Sequence, residues 1–201
     1  ADRDAGRIST VDPWKKKART HAPIRPTTIG VMTDISGSMK WAQNYVADFA
    51  YVYSNAGRRI SAKTAAITFG ATVELVTRPG EVLTKVKIRS ADDGHEKFDL
   101  GAASLDGMLN LTSDTRAVRV VLVVSDAHYV ASGEADKCVQ WLTQWSNSGV
   151  HVVWLGITDD ELTVPKAIRS IKNVHIVNMD EYGDSSGYWG FDPSSAFDPI
   201  E

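Results

Sequence analysis

The chain has 201 residues, 43% of them apolar and 23% charged, with a net charge of −3 at pH 7. That length holds one domain with a full core plus tails, and the near-balanced charge gives no general case for nucleic-acid or membrane-surface binding. A single cysteine, Cys138, excludes an internal disulfide and fits a reducing compartment, and no apolar run approaches the roughly 20 residues that span a bilayer, so a cytoplasmic setting is expected. The chain starts without a methionine and without a signal-like segment, which reads as a piece excised from a longer protein.

Residues 1–26 do not read as core. Pro13, Pro23 and Pro26 interrupt them, and Arg3, Arg7, Lys15, Lys16, Lys17, Arg19 and Arg25 face only Asp2, Asp4 and Asp12, a net charge of +4. A short helix is expected after Asp12, with Pro13 at its first position. This segment reads as a solvated linker; the alternative is a basic arm for nucleic acid.

Thr27–Thr33 is expected to be a strand, apolar enough to be central in a sheet. Lys40–Asn55 has apolar residues at helical spacing (Ala42, Tyr45, Val46, Phe49, Ala50, Tyr53), and Gly57 is expected to end that helix. Arg59–Thr68 reads as a second strand and Ala71–Val76 as a short strand returning beside it. Glu81–Arg89 fits strand and helix equally. Residues 92–99 form a polar loop, and its acidic residues are expected to be solvated. Leu100–Leu111 is a predicted helix, Ala117–Val124 a strand, Gly133–Ser148 a helix, Val150–Ile157 a strand, Pro165–Ile171 a short helix and Val174–Val177 a last strand. Residues 179–201 carry six carboxylates with no Lys or Arg, interleaved with Tyr182, Tyr188, Trp189, Phe191 and Phe197. They read as a solvated tail, the alternative being a binding segment. Strands and helices in alternation predict a three-layer α/β/α, Rossmann-like domain over residues 27–178, with a mostly parallel sheet and one short antiparallel edge strand.

Within this frame Asp34-Ile35-Ser36-Gly37-Ser38 stands where the first strand hands over to a helix. In an extended turn alternate side chains point the same way, so one carboxylate and two hydroxyls converge. Gly37 permits the turn, and Ser38 is suited to cap the helix. Hard oxygens with little charge suit Mg2+ or Mn2+; Zn2+ would want His or Cys. A second predicted strand ends in Ser125-Asp126, and such sheets bind ligands at the carboxyl ends of their strands.

Asp34-Ile35-Ser36-Gly37-Ser38-Met39 resembles the D-x-S-G-S-M form of the metal-ion-dependent adhesion site of von Willebrand factor A (VWA) domains, and the resemblance covers roughly residues 27–178. It implies a metal held by Asp34, Ser36 and Ser38, completed by Asp126, although Ala127 stands where that family usually has glycine. The family's middle threonine is absent. Ser104 is the expected substitute, with Asp99 and Asp106 as poorer candidates. Gly37, Asp99 and His128 are expected to border the partner-binding surface. The implied function is to capture a partner's Asp or Glu through the ion, without chemistry. Ile88–Asp93, Asp99-Leu100-Gly101 and Val123–Asp126 are further similar to the A domain of cobalt-chelatase subunits, which implies an adaptor for an AAA+ ATPase of the chelatase or MoxR kind. The enzymatic alternative is a Mg-dependent phosphatase with Asp34 as nucleophile, but Ser36 stands where a general acid is needed. The third reading, RNA binding, rests on the basic arm alone. Neither a P-loop nor a G-x-G-x-x-G motif occurs.

Overall fold

The computed structural model describes residues 25–129, 131–157 and 166–179. The expected helix after Asp12, the basic arm and the acidic tail lie outside the described residues, apart from the last residues of the arm and Met179.

The apolar run Thr27–Asp34 forms β1, and it is buried on both faces because it lies inside a six-stranded sheet of order β3-β2-β1-β4-β5-β6. Its neighbours are β2 (Lys63–Phe69) and β4 (Val118–Ser125), both parallel to it, with Met32 in register with Ile67 on one side and Val123 on the other. Beyond β4 run β5 (His151–Ile157) and β6 (Val174–Met179), also parallel. At the opposite edge β3 (Val73–Thr77) pairs antiparallel with β2, as the short returning strand predicted.

Successive strand residues point to opposite faces, and each face meets its own helices. Met32, Ile67, Val123 and Trp154 face α2 (Phe98–Leu109), α3 (Glu134–Asn147) and α4 (Lys166–Arg169). Val31, Ala66 and Leu122 face α1 (Gln43–Arg59), with Leu83 from the following loop beside them. The result is the expected three-layer α/β arrangement. Phe98, at the first turn of α2, packs edge-on to Phe69 (centroids 5.6 Å apart, planes at 84°) and stacks on Trp154 at 5.8 Å. Each such pair is worth on the order of 0.5–1.5 kcal/mol beyond its buried area, so the start of α2 is pinned to the sheet.

Several boundaries differ from expectation. The chain leaves β1 through a 3-10 turn at Gly37–Ala42, and α1 begins only at Gln43. Ser38 therefore sits inside the tight turn and makes no cap; its hydroxyl pairs with that of Ser36. Gly57 does not end α1. It is buried in the last turn, where a Cβ would lie 2.4 Å from Thr64 Cγ2 on β2. Its value there is close approach of helix to sheet, and Ser61 supplies the left-handed residue after the helix (φ 59°), donating its N–H to Arg58 O. Because α1 runs to Arg59, β2 starts at Lys63. The 81–89 segment is neither strand nor helix: Leu83 is buried while Val82, Val86 and Ile88 are exposed. Pro165, expected to open α4, lies outside the described residues. Among those residues no helix is long and apolar enough to cross a membrane.

Gly57 of α1 and Gly107 of α2 should respond oppositely to alanine. A Cβ at Gly107 meets nothing within 4 Å, so Gly107→Ala is expected to stabilise by about 1 kcal/mol through helix propensity. Gly57→Ala gains the same propensity but overpacks against a stiff β-branched side chain, and is expected to destabilise by about 1–2 kcal/mol net. Urea unfolding midpoints of the two variants check both signs.

Candidate metal centre at the switch point of the sheet

Strand order runs one way from β1 through β2 to β3 and the other way from β4 through β5 to β6. The crevice between the carboxyl ends of β1 and β4 is thus the point where helices leave the sheet on opposite sides, the place where such folds bind ligands. Asp34 ends β1, and Ser125 ends β4 beside it, with Asp126 the next residue.

Asp34 is completely buried, and both its oxygens are held. Oδ1 accepts the Ser36 N–H at 2.7 Å, closing a tight Asx-type turn, and Oδ2 accepts the Ser125 hydroxyl at 2.7 Å. The Ser125 hydroxyl in turn accepts the Ala127 N–H at 2.9 Å. Ala127 has φ 57°, in the left-handed region that a Cβ disfavours by on the order of 1–2 kcal/mol. This is the position where the resembled motif has glycine, so the turn conformation is kept although its usual residue is not. Asp126 accepts the His128 N–H at 3.0 Å. The Ser36 and Ser38 hydroxyls lie 3.1 Å apart.

The third wall comes from the polar loop before α2. Asp93 pairs with the turn after β1: Gly37 N–H donates to Asp93 O at 2.8 Å, and Asp93 Oδ2 accepts the Ala71 N–H at 2.8 Å. The Asp93 side chain packs so closely on Gly70 that a Cβ there would meet its Oδ2 at 2.3 Å. Lys97 N–H then donates to Gly70 O at 3.0 Å. With Asp93 tied on one side and Phe98 pinned to the sheet on the other, Glu96 is directed inward. It is 2% exposed, against the expectation of a solvated loop. Carboxylate oxygens of Asp34, Glu96 and Asp126 lie within 4.8 Å of one another.

Two of these carboxyls, Glu96 and Asp34, resist ionisation. Burial raises the pKa of Glu96 to about 9, and the charges of Asp34, Asp126 and Glu134 add to the rise. Burial likewise pushes Asp34 up to about 7, with Asp126 adding to it, although the hydrogen bonds from Ser36 and Ser125 pull the other way. Glu96 Oε2 is buried without a hydrogen-bond donor among the described residues. An orphaned carboxylate oxygen beside two more carboxylates and two hydroxyls is a donor set suited to a hard divalent cation. It is unsuited to a thiolate-seeking ion, since Cys138 is buried in the core under α3.

The structure brings Asp34, Ser36, Ser38 and Asp126 together at this edge. Ser104 and Asp99 do not join them. Gly101, Ala102 and Leu105 are the residues α2 buries, which leaves Ser104 exposed on the outer surface of the helix. Asp99 pairs with Lys137 of α3 at 2.9 Å. Asp106, the other substitute, accepts the Thr112 N–H and hydroxyl beyond the far end of α2. Glu96 is the residue that sequence reasoning missed. The available signal was its alternation with the apolar Phe98, which in an extended segment places both side chains on the same side.

Above the carboxylates opens a cleft of about 220 Å3, lined by Ser36, Gly37, Ser38, Glu96, His95 and His128 among others. Gly37 and His128 border it, His128 with its side chain exposed. His95 Nδ1 lies 3.8 Å from Glu134 Oε1 on its rim.

A mostly parallel sheet with β3 reversed, and an Asp-x-Ser-x-Ser turn facing Ser-Asp across its switch point, define a von Willebrand A domain. The chain belongs to the family described as VWA domain containing CoxE-like protein, whose sequence model matches residues 6–179. No curated protein matches it. Among solved structures it is similar to proximal thread matrix protein 1 from the mussel byssus (15% identity, TM-score 0.57, 77% of this chain and 44% of that one). It is also similar to the SpRpn10 VWA domain (10%, 0.56, 79% and 90%) and to the manganese-loaded Plasmodium vivax TRAP protein (10%, 0.54, 78% and 69%). At these identities the likeness concerns the fold. The chain spans less than half the length of the mussel protein.

The raised carboxyl pKa values give a signed expectation. Asp34 and Glu96 have ordinary values of 3.8 and 4.5. Above those values the unfolded chain gives up its protons while the native state keeps them, so native stability falls as pH rises toward the folded values. Without divalent ions the melting temperature is expected to drop between about pH 5 and pH 8, and Asp34→Asn and Glu96→Gln should each flatten the slope. Melting curves across that range in EDTA test this.

Proposed function

We propose that this chain is a divalent-metal-dependent protein-interaction module. In this reading Asp34, Ser36, Ser38 and Asp126 hold Mg2+ or Mn2+, and the cleft bordered by Gly37 and His128 receives an Asp or Glu of a partner protein. When bound, the ion supplies a positive centre to which a carboxylate oxygen can bind. The observation that carries the reading is the convergence of Asp34, Asp126 and Glu96 within 4.8 Å at the switch point, beneath an open cleft. Membership in the VWA family supports it, since interaction through a metal is the family's general mode. The partner we propose is an AAA+ ATPase of the chelatase or MoxR kind, or its target, with this chain as adaptor. The proposed setting is the cytoplasm, where the single, buried Cys138 stays reduced.

The phosphatase alternative draws little support from the site. A nucleophilic carboxylate must reach its substrate, whereas Asp34 is fully buried with both oxygens already accepting hydrogen bonds. The RNA-binding alternative rests on residues 1–26, nearly all outside the described residues.

Calorimetric titration of the chain with Mn2+ is expected to show binding at one site, abolished in Asp34→Ala. Pull-down of the partner ATPase system should be lost in EDTA and in both Asp34→Ala and Ser36→Ala, with the variants' circular dichroism unchanged. Undiminished capture by both variants would remove the metal from the mechanism.

A further inference from the structure

The three buried carboxylates are not equally anchored. Asp34 is held at both oxygens, by the Ser36 N–H and the Ser125 hydroxyl. Asp126 is held by the His128 N–H. Glu96 is buried as well, at 2% exposure, yet its Oε2 has no donor among the described residues, and the charges of Asp34, Asp126 and Glu134 act on it. Its side chain is also the longest of the three, and it reaches the cluster from a loop, whereas the other two sit at strand ends. Glu96 moreover lines the cleft, together with the Ser36 and Ser38 side of the turn.

We infer that Glu96 is a built-in stand-in for the partner's acidic residue: it contributes a third carboxylate to the metal centre and yields that place to an incoming carboxylate from another protein. The inference rests on the metal-centre reading above and adds its regulation. A buried carboxylate oxygen without a donor is costly, and a cation between the three groups removes that cost. A ligand with no second anchor is also the one most readily exchanged, because its departure breaks no hydrogen bond at the unpartnered oxygen. The free domain thus keeps its ion without a partner, and a partner's acid must compete with Glu96. That raises the affinity a true partner needs and screens out casual acidic ligands.

Mn2+ binding to the full chain, with and without excess acetate as a probe for the foreign carboxylate, tests this in the wild type, Glu96→Gln, Glu96→Ala and Asp34→Ala. Glu96→Gln and Glu96→Ala are expected to weaken Mn2+ binding at least about tenfold, a loss that even an outer-shell partner of a metal site can cause. Acetate should recover most of that loss in Glu96→Ala, where space is freed, and should leave the wild type unchanged. Melting in EDTA shows that the variants fold; Glu96→Gln, which keeps the side chain's size, should melt no lower than the wild type. Wild-type affinity in both Glu96 variants would overturn the inference while leaving the metal centre intact, provided Asp34→Ala still loses binding. Weakened binding that acetate does not restore would overturn the exchange. Failure of the wild type itself to bind Mn2+ would overturn the reading of the centre, and the inference with it.

Discussion

Three carboxyl groups buried within 4.8 Å of one another are the constraint around which this domain's upper edge is built. In a low-dielectric interior, like charges at such separations repel strongly, and each ionised group also loses its hydration. The fold tolerates this because most of the cluster is over-determined. Asp34 is locked by a hydroxyl and a backbone N–H, Asp126 by the N–H of the residue two places on, and Ala127 is held in a left-handed conformation that keeps the turn after β4 tight. Strain and desolvation are thus concentrated at one place in an otherwise well-packed domain, which is the feature the proposed binding role draws on.

The surrounding architecture explains how the groups are brought there. The sheet reverses its strand order between β1 and β4, so two neighbouring strands end in the same crevice while their helices depart to opposite faces. The loop before α2 is fastened at two points, by Asp93 against the β1 turn and by the aromatic cluster of Phe98, Phe69 and Trp154. Between those fastenings only a short stretch remains, and Glu96 is directed inward. Core packing and site geometry are therefore one problem here: Phe98 stabilises the α2 layer and, through the chain direction it imposes, aims Glu96.

Much of this was legible in the residues. The apolar runs of β1 and β4, the short reversed strand after β2, and the α/β alternation all follow from local patterning, because central parallel strands must be apolar on both faces. The Asp34-Ser36-Ser38 turn was legible because its members are close in sequence and share one local conformation. Asp126 was legible as a carboxylate at a strand end. Gly57 misled, since a glycine near the end of a helical pattern fits a terminating residue and a close-contact residue alike; only the position of Thr64 on β2 separates the two. The tight 3-10 turn at Gly37–Ala42 was similarly hidden, because nothing in Lys40–Ala42 distinguishes it from the first turn of α1.

The sequence by itself determined the class of the domain, the two strand ends that meet at the candidate site, and the oxygen-rich character of the side chains there. Local spacing and burial patterning are enough for these. Which further side chains complete the site was decided only by tertiary structure. Ser104 reads as a plausible hydroxyl donor, yet α2 must bury Gly101, Ala102 and Leu105 against the sheet and so turns Ser104 to its outer surface. Glu96 reads as one more charge in a polar loop, yet two anchors on either side drive it into the interior. The direction of a loop side chain depends on contacts with residues far away in the chain, and no local pattern encodes them.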